Sequence, residues 1–169
     1  MKKHIVLAMV TATALVCTVT LARPVQHYSY ERLFAEADLV VFATAQKTEE
    51  TADQLAGYGN FSSDKVSYKY VGQNSTFKVK YSLKGEAQVE QIKILHFKYV
   101  GTEGIVGNAP ALVAFRTEPV TVTAGNVQTK LPIPEYLLFL RRMKDGRYEA
   151  VSGQTDPVLS VREVSVSTH

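Results

Sequence analysis

The chain carries four histidines and one cysteine. His4 and Cys17 fall in an N-terminal stretch read below as a leader, which leaves His27, His96 and His169 for a mature domain. These three are scattered, and no His-Glu-x-x-His or paired-Cys spacing occurs, so the expectation is no metal site and no cofactor. His96 lies in Ile94-Leu95-His96-Phe97, on the side shared with Ile92 and Ile94. It reads as a partly buried strand histidine with one hydrogen bond. The sharper reading is a general base near the ordinary histidine pKa of about 6.5. No Gly-x-Ser-x-Gly elbow places a nucleophile for it. Ser152-Gly153 and Asp156-Pro157 read as turns. Glycosidase chemistry needs only two carboxylates about 5–10 Å apart, and 16 acidic residues leave that question open. The run Gly101-Thr102-Glu103-Gly104-Ile105-Val106-Gly107 lacks the Lys-Ser/Thr ending of a phosphate loop and reads as a connection between strands. No residue is assigned a catalytic role.

A basic stripe is the surface with most to offer. Lys78, Lys80 and Lys84 alternate along one segment, with Lys93 and Lys98 nearby. Tyr68, Tyr70 and Tyr99 are placed to interleave with them as stacking surfaces, as in barrels that bind single strands. These eight residues are the candidate binding set. The plainer account is that lysines on an exposed strand face guard a sheet edge against aggregation. Asn60-Phe61-Ser62 and Asn74-Ser75-Thr76 fit the N-glycosylation triplet, a pattern chance often produces.

The address is read from the beginning of the chain. Met1-Lys2-Lys3-His4 is basic, Ile5 to Leu21 is almost uncharged, and Thr20-Leu21-Ala22 precedes Arg23-Pro24. That order is a signal peptide with a small-x-small cleavage site after Ala22. The alternative is an uncleaved anchor, since an apolar run of about 17 residues is at the lower edge of a membrane span. Val16 before Cys17 argues against a lipoprotein cut. The expected division is therefore a signal peptide, 1–22, and one domain, 23–169. Removing Lys2 and Lys3 lowers 19 basic residues to 17 against 16 acidic ones, so the net charge falls from +3 to +1. A balance that near neutral disfavours a polyanion partner, and export disfavours nucleic acid. The mature chain is expected to have no disulfide, no membrane span after cleavage, and a core large enough to fold without cross-links.

The elements that would position these residues are mainly strands. Tyr28 to Ala37 has the spacing of a short amphipathic helix, and Leu39 to Ala45 reads as a strand buried on both faces. Lys47 to Asn60 reads as a loop long enough to be functional. A strand at Val66 to Val71 is expected to turn at Gly72-Gln73-Asn74. Thr76 to Lys84 then alternates, with Phe77, Val79, Tyr81 and Leu83 inward and the lysines outward. Val89 to Val100, Ala111 to Phe115, Val120 to Thr123, Val127 to Leu131 and Glu135 to Arg142 are further strands. Gly125-Asn126 and Asp145-Gly146 are hairpin turns. The run Asp156 to Val166 could be strand or helix. Many short strands without strand–helix alternation favour an all-β barrel or sandwich.

The segment order resembles the netrin-like domain, shared with the tissue inhibitors of metalloproteinases. The resemblance rests on a helix entering Ala37-Asp38-Leu39-Val40-Val41, and on Thr76-Phe77-Lys78-Val79 ending in Leu83-Lys84-Gly85. A third part is Tyr136-Leu137-Leu138-Phe139-Leu140 leading to Asp145-Gly146-Arg147-Tyr148 and Val151-Ser152-Gly153. It implies a mainly β, OB-like antiparallel barrel of five or more strands, with a short N-terminal helix and a short C-terminal element. The inhibitors begin on a Cys that binds the protease zinc. Here Arg23 is the expected terminus and no Cys remains, so that mechanism and the family disulfides do not carry over. The functional expectation is a secreted or periplasmic binding module whose partner is an extracytoplasmic protein or glycan. The alternatives are a small extracytoplasmic hydrolase with a carboxylate site and a structural subunit of an envelope assembly. The sequence sets no oligomeric state.

Overall fold

The computed structural model describes residues 26–57, 61–62, 67–85, 89–101, 110–157 and 159–164. The expected leader and its expected cleavage site, the run 102–109 and His169 lie outside the described residues. No helix among the described residues is long and apolar enough to cross a membrane.

Among the described residues one helix, α1 (Tyr30–Glu36), precedes nine strands: β1 (Leu39–Thr51), β2 (Phe61–Ser62), β3 (Ser67–Lys84), β4 (Gln91–Gly101), β5 (Val120–Ala124), β6 (Val127–Leu131), β7 (Glu135–Arg142), β8 (Tyr148–Ala150) and β9 (Val161–Val164). β1, β3, β4, β8 and β7 pair in that order, and β7 pairs back onto β1. The result is a closed five-strand, OB-like β-barrel with one short helix. Four of its contacts are antiparallel ladders. The fifth, β4 against β8, is parallel and rests on a single register pair, Ile94 with Tyr148. That contact is the barrel's seam. β9 extends the sheet along β7, supplying the expected C-terminal element, and β5–β6 form a separate two-stranded sheet.

The barrel interior follows from strand alternation. Leu39, Val41, Ala43 and Ala45 of β1 meet Tyr136, Leu138 and Leu140 of β7, with Phe77, Ile92 and Ile94 closing the core. The intervening residues Val40 and Phe139 point outward, where Leu33 and Ala37 of the helical segment cover them. This cover explains why both strands are apolar on two faces. Ser29 caps the helix by accepting from the Arg32 amide. Two-sided cover recurs on β4. Ile92 and Ile94 face the core, while Leu95 and Phe97 form an outer cluster with Leu55.

Three expectations need correction. First, β1 continues through Lys47–Thr51, and β3 runs unbroken through Gly72-Gln73-Asn74. The two strands form one long antiparallel ladder there, with Thr51 opposite Gly72. A Cβ at Gly72 would lie 2.6 Å from Thr51 Oγ1 and 2.8 Å from the Asp53 carbonyl, so this glycine marks close approach and not a turn.

Second, the alternation in Thr76–Lys84 does not survive as a face. Phe77 is buried, but Tyr81 and Leu83 are 58% and 54% exposed. The β1–β3 register shifts across Lys80 and again across Leu83, since Ala43 pairs with Val79 and Phe42 with Tyr81, while Val41 pairs with Ser82 and Val40 with Lys84. Each bulge adds one residue and reverses which side points inward.

Third, Ala111–Phe115 is no strand. It is an extended strap held by side chains. The Ala111 amide donates to Asp156 Oδ1 (2.9 Å), His96 bonds the Val113 carbonyl (3.2 Å), and the Arg116 amide donates to Tyr136 Oη (2.9 Å). Its Phe115 ring packs edge-on against Phe77, His96 and Tyr136, with centroids 4.7, 4.8 and 5.3 Å away.

Candidate ligand-binding clefts at the barrel seam

Two clefts open on either side of the single Ile94–Tyr148 pair. A parallel contact this short leaves the strands parted above and below it. The larger cleft, about 560 Å³, is lined by Asn74, Val89, Gln91, Ile92, Lys93, Arg142, Asp145, Gly146, Arg147 and Tyr148. The smaller, about 350 Å³, has Leu55, Leu95, Phe97 and Met143 as apolar lining and Gln54, Glu149, Gln154 and Thr155 as polar lining.

The β7–β8 turn borders both clefts and the loop after β1 borders the smaller one, and one ion-pair network joins loop and turn. Arg147 donates from Nη1 to Asp53 Oδ2 (2.6 Å) and from Nη2 to Asp53 Oδ1 (2.9 Å). Its Nη1 also donates to Asn74 Oδ1 (2.9 Å) and its Nε to Asp145 Oδ2 (2.8 Å). The planar five-donor fork of arginine suits such a junction. Arg147 holds the Asp53 carboxyl down to about 2, helped by the Thr51 hydroxyl. It lowers the Asp145 carboxyl in the same way, and both carboxylates push its own pKa further up. Both carboxylates are held ionised by one arginine, which ties the loop after β1 to the β7–β8 turn. Local turn chemistry sets the arginine: Gly146 adopts φ +87, and the Arg147 amide donates to Asp145 Oδ1.

His96 is more deeply placed than its sequence context suggests. It is buried and makes two hydrogen bonds, to the Val113 carbonyl and to Ser75 Oγ (2.8 Å), which in turn meets Thr48 Oγ1 (2.6 Å). Because a carbonyl only accepts, Nδ1 carries the proton and Nε2 accepts from Ser75. Burial pushes the ring down to about 4. Ser75 is fully buried, so this serine–histidine contact faces no cleft and organises the barrel interior. His27 is exposed and lies before α1. No group of three His, Cys, Asp or Glu among the described residues is placed to hold a metal ion.

The candidate binding residues hold different places in the fold. Lys84 donates to the Phe34 and Ala35 carbonyls (2.7 and 3.0 Å) and so caps the helix C-terminus. Lys80 pairs with Glu135 and Lys98 with Glu50. Lys78 is exposed on β3 opposite Gln91. Tyr70 and Tyr99 oppose each other across β3–β4 and pack edge-on at 6.0 Å, with Tyr70 against the Leu55–Leu95–Phe97 cluster. Tyr68 pairs through its backbone with Phe61 and Gly101. Of the seven whose side chains are described, only Lys93 lines a described cleft. The bulges at Lys80 and Leu83 turn Tyr81 and Leu83 outward beside Lys78 and Lys80, which stay exposed.

Sequence reasoning missed the residues that do converge: Asp53, Gln54 and Leu55 from one loop, and Met143, Asp145 and Arg147 from the other. Two signals pointed to them, the long polar run after β1 and the Asp-Gly turn, but nothing local joined the two. Compared with family models, curated proteins and solved structures, the chain finds no match in any of the three.

Proposed function

We propose that the chain is an extracytoplasmic binding module of netrin-like type, which takes an extended protein segment or a glycan in the clefts flanking the β4–β8 seam. The observation that carries this reading is the junction of two loops over the outer face of β4, fixed by Arg147 and Asp53. OB barrels bind oligomeric ligands on the face of their second and third strands, between the loops that join strands one to two and four to five. Along this chain those strands are β3 and β4, and those loops are the two that Arg147 joins. Fold-level analogy supplies the location; the side chains supply the chemistry. Leu95 and Phe97 give an apolar floor. Gln54, Gln154, Thr155 and Glu149 offer amide, hydroxyl and carboxylate groups at the rim, with Gln154 Nε2 donating to Glu149 (3.1 Å). A few placed polar groups over an apolar floor make a site for neutral or weakly charged ligands.

The test is an amide NMR titration with a panel of neutral and acidic oligosaccharides and extended peptides. Shifts confined to Gln54, Leu95, Phe97, Met143 and Gln154, abolished by Gln154→Ala with Glu149→Ala, support the reading. Shifts elsewhere, or a ligand recovered cleaved, overturn it.

A further inference from the structure

The β5–β6 hairpin is the part of the molecule that the barrel does not explain. All ten of its strand residues are exposed, and neither strand pairs with the main sheet. Its register places Val120 opposite Leu131, Val122 opposite Thr129 and Ala124 opposite Val127. One face is therefore almost wholly apolar, with Val127 64% exposed, and the other is Thr121, Thr123, Gln128 and Lys130. A lone two-stranded hairpin is marginal in water, and a third strand or a packing surface stabilises it.

We infer that a second copy of this chain docks on the hairpin by pairing β5 edge to β5 edge, giving a four-stranded antiparallel sheet across a two-fold axis. Three observations select this occupant. The first is backbone geometry. Gly125-Asn126 is a two-residue turn, so the flanking pair Ala124–Val127 exchanges hydrogen bonds and alternate residues point theirs outward. On β5 the outward groups belong to Thr121 and Thr123, and nothing among the described residues pairs with that edge.

The second observation is charge. β5 has none, whereas Lys130 guards the β6 edge. Pairing two β5 strands about Val122 sets Thr121 against Thr123, Val120 against Ala124 and Val122 against itself. No like charges oppose, and β-branched residues face each other at Thr121–Thr123 and at Val122–Val122, which favours cross-strand packing. A heterologous partner would find no charge on this edge to recognise.

The third is size. Four exposed side chains, Val120, Val122, Val127 and Leu131, fall well short of the about 800 Å² per partner that a stable interface buries. The association is therefore reversible, held largely by backbone hydrogen bonds, and belongs to a two-fold contact in which each copy supplies the same edge.

The experiment is sedimentation of the purified protein between about 10 μM and 1 mM, the range in which an interface this small dissociates. The expected result is a rise toward twice the monomer mass with concentration. Thr123→Pro removes an outward N–H and leaves the inner hairpin bonds intact, as proline does on edge strands. Thr123→Lys adds a guarding charge and covers the case where proline disturbs the turn. Both variants are expected to stay monomeric with an unchanged melting temperature. A wild-type protein that is monomeric at 1 mM overturns the inference, and so does association that survives both substitutions.

Discussion

Arg147 grips Asp53 with two parallel hydrogen bonds of 2.6 and 2.9 Å across 94 residues of chain. The pair fastens the loop after β1, which borders the smaller cleft, to the β7–β8 turn, which borders both. Asp53 has a folded pKa of about 2 against an ordinary value of 3.8. A depressed carboxyl stabilises the fold above its unfolded pKa, and that contribution fades as pH falls from about 4 toward 2. The loss amounts to about 1–2 kcal/mol once the partial exposure of both partners is allowed for. Urea unfolding of the wild type and of Asp53→Asn between pH 2 and 6 checks this. The variant is expected to show the flatter profile, and parallel profiles would refute the assignment.

His96 titrates with the opposite logic. Its folded pKa is lowered to about 4 because burial disfavours the imidazolium. Its unfolded value is near 6.5, so the unfolded chain binds the extra proton first. Stability is complete above about pH 6.5, declines between 6.5 and 4, and then levels off about 2–3 kcal/mol lower. Imidazole NMR shifts give the pKa directly, and a midpoint above 6 would sink the prediction. His96→Gln is expected to remove the slope between pH 7 and 5 while costing stability at neutral pH, since Ser75 and Val113 lose a fitted partner, and the difference from the wild type narrows as pH falls.

Leu138 tests the core itself. It is fully buried between β1 and β9 in the sheet, and its side chain lies in the barrel interior with Val41 and Leu140. Leu138→Ala is expected to cost about 2–5 kcal/mol by equilibrium unfolding. A loss under about 1 kcal/mol would place the core elsewhere.

The core strands were legible in the sequence because their signals are local. Leu137 to Leu140 is a short apolar run, and Asp145-Gly146 dictates its own turn. The helix announced itself through the spacing of Tyr30, Leu33, Phe34 and Ala37. What was illegible depends on register. One extra residue at Lys80 turned Tyr81 outward, and no period-two pattern carries notice of a bulge. The clefts were hidden for another reason. Asp53 and Arg147 come together only when the barrel closes, and neither has a neighbour in sequence that hints at the other. The strap at Ala111–Phe115 has a strand's composition, but side chains of His96, Tyr136 and Asp156 take its backbone groups.

Lysine substitutions separate the two accounts of the surface. Lys84 caps the helix by donating to two carbonyls of its last turn. Lys84→Ala is expected to lower stability by about 0.5–1 kcal/mol, as for other terminal caps and dipole partners. Lys78→Glu with Lys80→Glu is expected to leave ligand capture unchanged within twofold, because neither residue lines a cleft. A tenfold loss of capture in that double variant would return the binding site to the β3 face.

Gly72 ties the fold to the site most directly. A Cβ there would stand 2.6 Å from Thr51 Oγ1 and 2.8 Å from the Asp53 carbonyl. The backbone carbonyl has little room to yield, so Gly72→Ala is expected to displace the start of the loop and pull Asp53 away from Arg147. Overpacking of this kind costs about 1–3 kcal/mol. The more telling measurement is a double-mutant cycle. If Gly72→Ala acts by breaking the ion pair, adding Arg147→Ala costs little beyond either change alone, and the coupling is about 1 kcal/mol or more. Ligand affinity follows the same pattern, since both substitutions free one wall. Strict additivity in stability and affinity would mean that the loop keeps its place without the Arg147 contact, and that the seam clefts owe their shape to something other than this pair.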